Sequence, residues 1–446
     1  MNQKNKDQNT DFEKNFVQLF RSIAPYIHSF KSKIFVICIS KKEISDKKFN
    51  NLIHDIALLN ALGIKIIVTY NAMSGIETQL KIRNHQLKYS KGIPITDEIV
   101  LDCAKRAIGE YRLNIEASFS TNLPNTPMTN SKVRVVSGNF VKAKPLGVYD
   151  SVDFNKTGVV RKIDTDNIIK ILESGAIVLI PPLGFSETGD AFNLSCDQLA
   201  VSIASELKSE KLIFTIDKDF LPKKNDSKFC EISHEKINYI LNESVLHEGS
   251  ARLISQSTIA NENGVERVHL IPLDDDGEIL LELFTHDGIG TMLVKDKLDF
   301  VRSATLDDVS SILSLIEPFE KDGTLSSRSK LLIERDIKNF SVLEHDGIIY
   351  GCAGLYEFPE EKIGEIACLI ISSNYQEKGE GKKLLNYIEK IAKSKKLKKL
   401  FALTTRTEHW FLKNQFKEAK PNQLPKQKIN KLTKNRNSKI LIKILD

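Results

Sequence analysis

The run Ile34-Phe-Val-Ile-Cys-Ile39 places six apolar residues side by side with no polar alternation. A strand of that kind has no face suited to water and must be covered on both sides, which is the situation in a parallel sheet. The following residues supply a cover. Phe49, Leu52, Ile53, Ile56, Leu59 and Leu62 share one helical stripe over Lys47–Leu62, and Gly63 ends the helix. A second strand, Ile64-Lys-Ile-Ile-Val-Thr69, and a helix through Ile76–Leu87 repeat the unit. The alternation continues with a helix Asp97–Tyr111, strands Val133–Ser137 and Ala176–Ile180, a helix Ser195–Leu207 and a strand Lys211–Ile216. After a lysine-rich surface excursion at Lys218–Lys228 come a helix Ile279–Phe284, the turn Asp287-Gly-Ile-Gly290 and a strand Thr291–Val294. This order predicts an α/β sandwich around a parallel sheet.

Near Lys295–Leu298 the pattern changes. A strand at Val301 feeds a helix capped at Thr305, a helix covers Lys330–Asn339, and meander strands follow at Ser341–His345, Ile348–Glu357 and Gly364–Ile371, with His345-Asp-Gly347 as a hairpin turn. A helix Gly381–Lys395 and a strand Lys399–Thr404 complete a separate α+β domain. The chain therefore reads as two domains, 1–297 and 298–446, and its 446 residues suit two cores. No apolar stretch is long enough to span a bilayer and the N-terminus lacks a secretion-signal pattern, so no membrane role and a cytoplasmic location are expected. The six scattered cysteines and nine histidines show no metal-ligand spacing, so no metal is expected. Net charge is only +6; lysines crowd 390–399 without interleaved aromatics, which argues against nucleic acid.

The most informative stretch is Gly364-Glu-Ile-Ala-Cys-Leu-Ile-Ile371 followed by Gln376-Glu-Lys-Gly-Glu-Gly381. A strand delivers the chain into a glycine-containing loop that opens a helix, leaving backbone N–H groups and the positive helix end available to a pyrophosphate. Lys378 and Lys382 add charge beside it, and Glu380 sits within the loop. This loop resembles that of the acyl-CoA-binding GNAT acetyltransferases, and the resemblance implies acyl transfer to an amine, for which a backbone N–H of Cys368, Leu369 or Ile370 is the simplest donor to the oxyanion. The amine must be neutral, and Glu365 is the candidate base, directly or through water; a structural carboxylate paired to a lysine is the alternative for that residue. Cys368 reads as a packing thiol. Arg328, Arg406 and Arg436 each lie near an element end, suited to gripping a dicarboxylate acceptor.

The loop Gln376-x-x-Gly379-x-Gly381 resembles the acyl-CoA loop of the GNAT acetyltransferases. Together with Phe358-Pro-Glu-Glu-Lys-Ile-Gly-Glu-Ile-Ala-Cys368 and Thr404-Thr-Arg-x-x-His-Trp-Phe411, and with upstream stretches such as Lys144-Pro-Leu-Gly147 and Thr188-Gly-Asp-Ala-Phe-Asn-Leu194, it is similar to the bacterial two-domain N-acetylglutamate synthases, in which an amino-acid-kinase-like domain precedes a GNAT domain. The resemblance covers nearly the whole chain. It implies acetyl transfer from acetyl-CoA to the α-amino group of L-glutamate, the first step of arginine biosynthesis. It also implies Glu365 as base acting through water, Arg328 and Arg436 as binders of the glutamate carboxylates, Leu325 and Arg406 in substrate binding, with a salt bridge at the strand end as the alternative for Arg406, and a cofactor site of Cys368, Leu369, Ile370, Gln376, Lys378, Gly379, Glu380, Gly381 and Lys382. Trp410, Phe411 and Phe416 read as core of the last helix. Other acceptors, or an inactive arginine-binding regulator, stay open alternatives.

The first domain does not read as a working kinase. Ser40-Lys-Lys-Glu43 and Tyr70-Asn-Ala-Met-Ser-Gly75 stand where glycines would cradle phosphates. The resemblance implies an arginine-sensing scaffold instead, with Glu282, Gly288 and Gly290 in the arginine pocket and rings of subunits, a hexamer, joined by an N-terminal helix. Residues 11–28 place Phe12, Phe16, Phe20, Ile23 and Ile27 on one stripe, serving either that interface or packing on its own domain. Gln256-Ser-Thr-Ile-Ala260 lacks the lysine and Gly-Ala pair usual in the family, so altered arginine control is expected.

Overall fold

The computed structural model describes residues 17, 19–21, 23–40, 46–121, 128–217, 231–233, 248–285, 288–294, 300–345, 348–372, 376, 379–429 and 438–445. The chain divides into two compact units, Met1–Asp296 and Lys297–Asp446.

The first unit is built on an eight-stranded sheet in the order Glu231–Ser233, Thr291–Val294, Arg267–Pro272, Lys211–Ile216, Ile34–Ile39, Lys65–Tyr70, Ile177–Leu179 and Val135–Ser137. All its pairings are parallel except Arg267–Pro272 against Thr291–Val294. Ile34–Ile39 lies between two parallel neighbours and is buried from Phe35 onward, which explains its unbroken apolar run. Helix Asp46–Ala61 ends at Gly63, whose φ of +89° is the left-handed conformation that favours glycine.

Two helices depart from the expected bounds. Glu98–Phe119 runs past Tyr111 because Ile115 and Phe119 extend its buried stripe. Met73–Ile82 starts early, where Asn71 Oδ1 accepts the Met73 N–H at 2.8 Å, and stops before Asn84, which turns left-handed at φ +54°. A four-stranded sheet of Ala191–Asn193, Leu183–Phe185, Val141–Pro145 and Gly158–Ile163 was not anticipated.

At the N-terminus, residues 23–30 are helical, and burial falls on Tyr26 and Phe30 rather than on the expected stripe of Phe20, Ile23 and Ile27. Phe30 meets Phe35 edge-on at 5.3 Å and Phe284 at 5.9 Å, so this part packs on its own unit. Leu19 and Phe20 are exposed, and Phe12 and Phe16 lie outside the described residues. So do Lys218–Lys228, Lys41–Glu43, Asp287 and the Asp346–Gly347 turn.

The second unit is a seven-stranded sheet in the order Phe300–Ser303, Phe340–His345, Ile348–Phe358, Ile363–Ile371, Lys399–Thr404, Lys439–Ile444 and Lys417–Glu418. Thr305 and Asp308 form a reciprocal capping box at the turn that leads into helix Val309–Lys321, and Arg302 grips Asp308 with two bonds of 2.7 and 2.9 Å. Helix Glu380–Ser394 contributes Leu384, Leu385 and Ile388 to a core shared with Leu355, Ile366 and Leu400. No described helix is long and apolar enough to cross a membrane.

Candidate functional site

The central feature of the second unit is a split in its sheet. Ile363–Ile371 and Lys399–Thr404 run parallel and pair from Ile363–Lys399 to Ile366–Ala402, and there the pairing ends. On its other edge, Ile363–Ile371 pairs antiparallel with Ile348–Phe358, and the register slips: Cys352 faces Ile370, but Gly354 faces Ala367. The extra residue falls on Ile363–Ile371, where Cys368 adopts φ +51°. A bulge of this kind bends a strand and re-aims its backbone, which accounts for the strand leaving its parallel partner. The split opens a cleft of about 720 Å³.

The glycine loop closes one end of the cleft. Gly379, at φ +86°, is the N-cap of helix Glu380–Ser394, and a Cβ built on it would meet nothing within 4 Å. Among the described residues no acceptor is paired with the backbone N–H groups of Glu380 and Gly381. Gln376 ties the loop back to the strand, its amide donating to the Ile371 carbonyl at 2.9 Å. Glu380 is buried; it accepts from the Tyr350 hydroxyl at 3.0 Å, which ties the helix start to the sheet, and pairs with Lys383 of its own helix at 2.9 Å. Gly381 gives room to Trp410, whose ring would sit 3.1 Å from an added Cβ. An open left-handed glycine ahead of unpaired helix N-terminal amides suits a pyrophosphate, and the exposed edge beyond Ile366 suits an amide-bearing arm.

Most of the expected residues meet in this cleft. Leu325, Arg328, Glu365, Cys368, Leu369, Ile370, Gln376, Gly379, Glu380, Gly381 and Lys382 all line it. Lys378 and Arg436 lie outside the described residues. Arg406 is absent from the lining: its guanidinium donates to the Asp322 carboxylate at 2.9 Å and to the Asp322 carbonyl at 3.1 Å on the surface.

Glu365 is buried, and both its oxygens lie close to Lys428 Nζ, at 2.6 and 2.8 Å. It therefore lines the cleft and has a lysine partner at the same time. Lys428 also lines the cleft and was not anticipated, because its contact bridges 63 positions. Trp410 and Phe411, expected only as core, form part of the wall too. Arg328 donates to the Cys368 sulfur and lies 5.8 Å from the Tyr356 ring centroid. Burial pushes the Cys368 thiol up, against the opposing pull of Arg328, which disfavours the thiolate that a nucleophile would need.

In the first unit, Glu282, Gly288 and Gly290 come together. One Glu282 oxygen accepts from the Ile289 and Gly290 amides, each at 2.7 Å, and the other lies 2.7 Å from His269 Nδ1. A Cβ on Gly288 would sit 2.4 Å from the Glu282 carboxylate. Burial alone would raise this carboxyl, but the bonds from His269, Gly290 and Ile289 together hold it down at about 2. The turn where a kinase would cradle phosphate carries no exposed glycine. Gly75 lies within helix Met73–Ile82 and faces the Tyr111 ring, 2.8 Å from an added Cβ, so its missing side chain serves helix packing.

Residues 33–272 match the amino acid kinase family, and residues 306–411 match the acetyltransferase (GNAT) family. The amino-acid acetyltransferase of Ralstonia nicotianae is 46% identical over 98% of this chain and 97% of that protein. This chain belongs to the amino-acid acetyltransferase family. The amino-acid acetyltransferase of Photobacterium profundum is 39% identical over 96% of this chain and 98% of its own length. Among solved structures, N-acetylglutamate synthase from Neisseria gonorrhoeae complexed with coenzyme A and L-arginine is 36% identical. It covers 96% of this chain and 99% of that one, with a TM-score of 0.86. The same enzyme complexed with coenzyme A and N-acetyl-glutamate gives 0.61. The resemblance to a kinase-like domain joined to a GNAT domain is thereby established for this acetyltransferase.

Proposed function

We propose that this acetyltransferase is an N-acetylglutamate synthase, moving the acetyl group of acetyl-CoA to the α-amino group of L-glutamate. The observation that carries the reading is the split strand Ile363–Ile371, which brings Glu365, the bulge amides and the Gly379 loop into one cleft. It stands in a chain alike over nearly its full length to a synthase solved with coenzyme A and with N-acetyl-glutamate. Acetyl-CoA supplies an activated acyl carbon. The Gly379–Gly381 helix start holds the diphosphate, and the exposed edge beyond Ile366 aligns the pantetheine arm. Glu365, held by Lys428, takes the proton from the glutamate ammonium. Arg328, which leans on a neutral thiol, and Arg436 grip carboxylates. The acyl carbon is attacked directly by the amine, in keeping with the burial that disfavours a Cys368 thiolate.

Arginine is the proposed effector, with altered control: the Glu282 carboxylate is already occupied by His269 and two turn amides. Subunits assemble as a homo-oligomer, a hexamer by family likeness, in the cytoplasm. A thiol-release assay over a panel of amino acids tests the central claim. Glutamate is expected to be preferred, and Glu365→Gln to lower kcat by about 10²–10³-fold with unchanged melting. Preference for another amino acid, or full activity in the variant, overturns it. An arginine titration run alongside separates altered control from ordinary tight inhibition.

A further inference from the structure

The first unit holds a cavity of about 400 Å³ at the carboxyl ends of its parallel strands, walled in part by Asn71, Pro182, Asn193 and Asp197. Cys196 opens onto it. Behind Cys196 lies Cys38, fully buried in Ile34–Ile39, and the two sulfurs are 2.9 Å apart. One thiol lies next to the end of a central strand and the other begins helix Cys196–Glu206, 158 positions away, so the fold alone brings them together. A disulfide spans about 2.05 Å, which leaves a closure of roughly 1 Å.

We propose that Cys38 and Cys196 form a reversible oxidation site, in which a small hydroperoxide entering by the cavity converts the pair to a disulfide that ties strand to helix. The Cys196 sulfur, having given its proton to water, attacks one peroxide oxygen. The O–O bond breaks, and hydroxide leaves and takes up a proton as water. The resulting sulfenic acid is attacked by the Cys38 sulfur: the S–S bond forms, the S–O bond breaks, and water departs with the Cys38 proton. Two thiols give up two electrons and two protons, and hydrogen peroxide becomes two waters.

A soft-metal centre is the competing use of these atoms, because an Asp197 oxygen lies within 4.8 Å of both sulfurs. Asp197, however, faces the Arg252 guanidinium at 3.5 Å. Burial pushes both thiols up, which disfavours the two thiolates that a metal requires. A disulfide removes both titratable groups instead. The same burial slows the first attack, so the site answers sustained oxidant rather than a brief pulse. The thiols of the second unit serve as an internal contrast: Cys352 faces the Cys368 carbonyl at 3.6 Å, and the Cys368 sulfur faces Arg328.

The test uses the full chain, incubated with millimolar hydrogen peroxide, alkylated under denaturing conditions and mapped by mass spectrometry without reduction. The titratable thiols are expected to fall from the six in the sequence to four. A peptide linking Cys38 to Cys196 should appear, be reversed by dithiothreitol, be lost in Cys38→Ser and be kept in Cys103→Ser. Oxidation of Cys196 to a sulfinic acid without a link, a link between other cysteines, or six intact thiols in the wild-type chain would each overturn the proposal. So would one equivalent of zinc binding to the reduced chain and shielding both thiols from alkylation. The wild-type map decides the matter even if a serine variant fails to fold.

Discussion

Each unit of this molecule contains a glycine turn whose backbone amides suit an anion, and the two turns differ in what stands before them. At Gly288–Gly290 the amides of Ile289 and Gly290 are filled by the protein's own Glu282, so the turn is a clamp. At Gly379–Gly381 the glycine opens on space, the nearby carboxylate of Glu380 is drawn aside by Tyr350 and Lys383, and the helix start faces the cleft. The same backbone device is thus structural where a side chain completes it and suited to a ligand where none does. Glycine spacing alone does not tell the two apart; the position of the nearest carboxylate does.

The largest expected effect lies in the clamp. The folded value of Glu282 is depressed from 4.5 to about 2. Its stabilisation is therefore complete above the unfolded value and is lost as pH falls through 4.5 toward 2; burial holds the His269 value down, so at neutral pH the hydrogen bonds rather than an ion pair supply it, each bond to a charged acceptor contributing about 1.5–3 kcal/mol. Glu282→Gln should lower the melting temperature at pH 7 by roughly 5–10 °C, with the gap to wild type narrowing at pH 3. Thermal unfolding at both pH values checks this, and an equal gap at the two, or none, removes the clamp from the comparison.

Next in size is Gly379→Val. A branched side chain at φ +86° costs about 1–3 kcal/mol of strain, and relief by reshaping the loop should raise the KM for acetyl-CoA about 10–100-fold while melting changes little. Gly288→Val is the mirror experiment: its side chain would strike Glu282, so melting should fall while the acetyl-CoA KM holds. Initial-rate kinetics on both variants sharpen the contrast. If both lose cofactor affinity, or neither does, the two turns do not differ as stated.

Which parts were legible follows from how far each signal reaches along the chain. Strands Lys211–Ile216, Thr291–Val294 and Lys399–Thr404 stand where their apolar runs placed them, since burial on both faces leaves a local signature. The four-stranded sheet was missed although Val141-Lys-Ala-Lys alternates with the period of a half-buried strand. The bulge could not be foreseen, because Cys368 at a left-handed φ has no compositional mark of the kind a glycine gives. The Glu365–Lys428 pair depends on a contact that only the folded sheet creates. Arg406 and Arg328 both lie near an element end; the salt bridge that was the alternative for Arg406 is the one formed, to Asp322, while Arg328 faces the cleft.

The smallest effect concerns what draws Glu380 aside. This carboxylate stands in the first turn of the helix, where the helix dipole favours it and where it would compete with a bound diphosphate for the same amides. The buried Tyr350 hydroxyl, 3.0 Å from one oxygen, holds it toward the sheet, and Lys383 of the same helix, 2.9 Å from the other, draws it along the helix. Tyr350→Phe removes one of these holds and leaves the lysine. A hydrogen bond to a charged acceptor contributes about 1.5–3 kcal/mol, and with Lys383 retained only part of that should be lost. The expected outcome is a rise of about threefold to tenfold in the acetyl-CoA KM, with kcat and the glutamate KM unchanged. Kinetics with each substrate varied in turn give the answer. If both KM values shift together, the hydroxyl supports the sheet as a whole; if neither moves, Lys383 alone keeps the cradle clear.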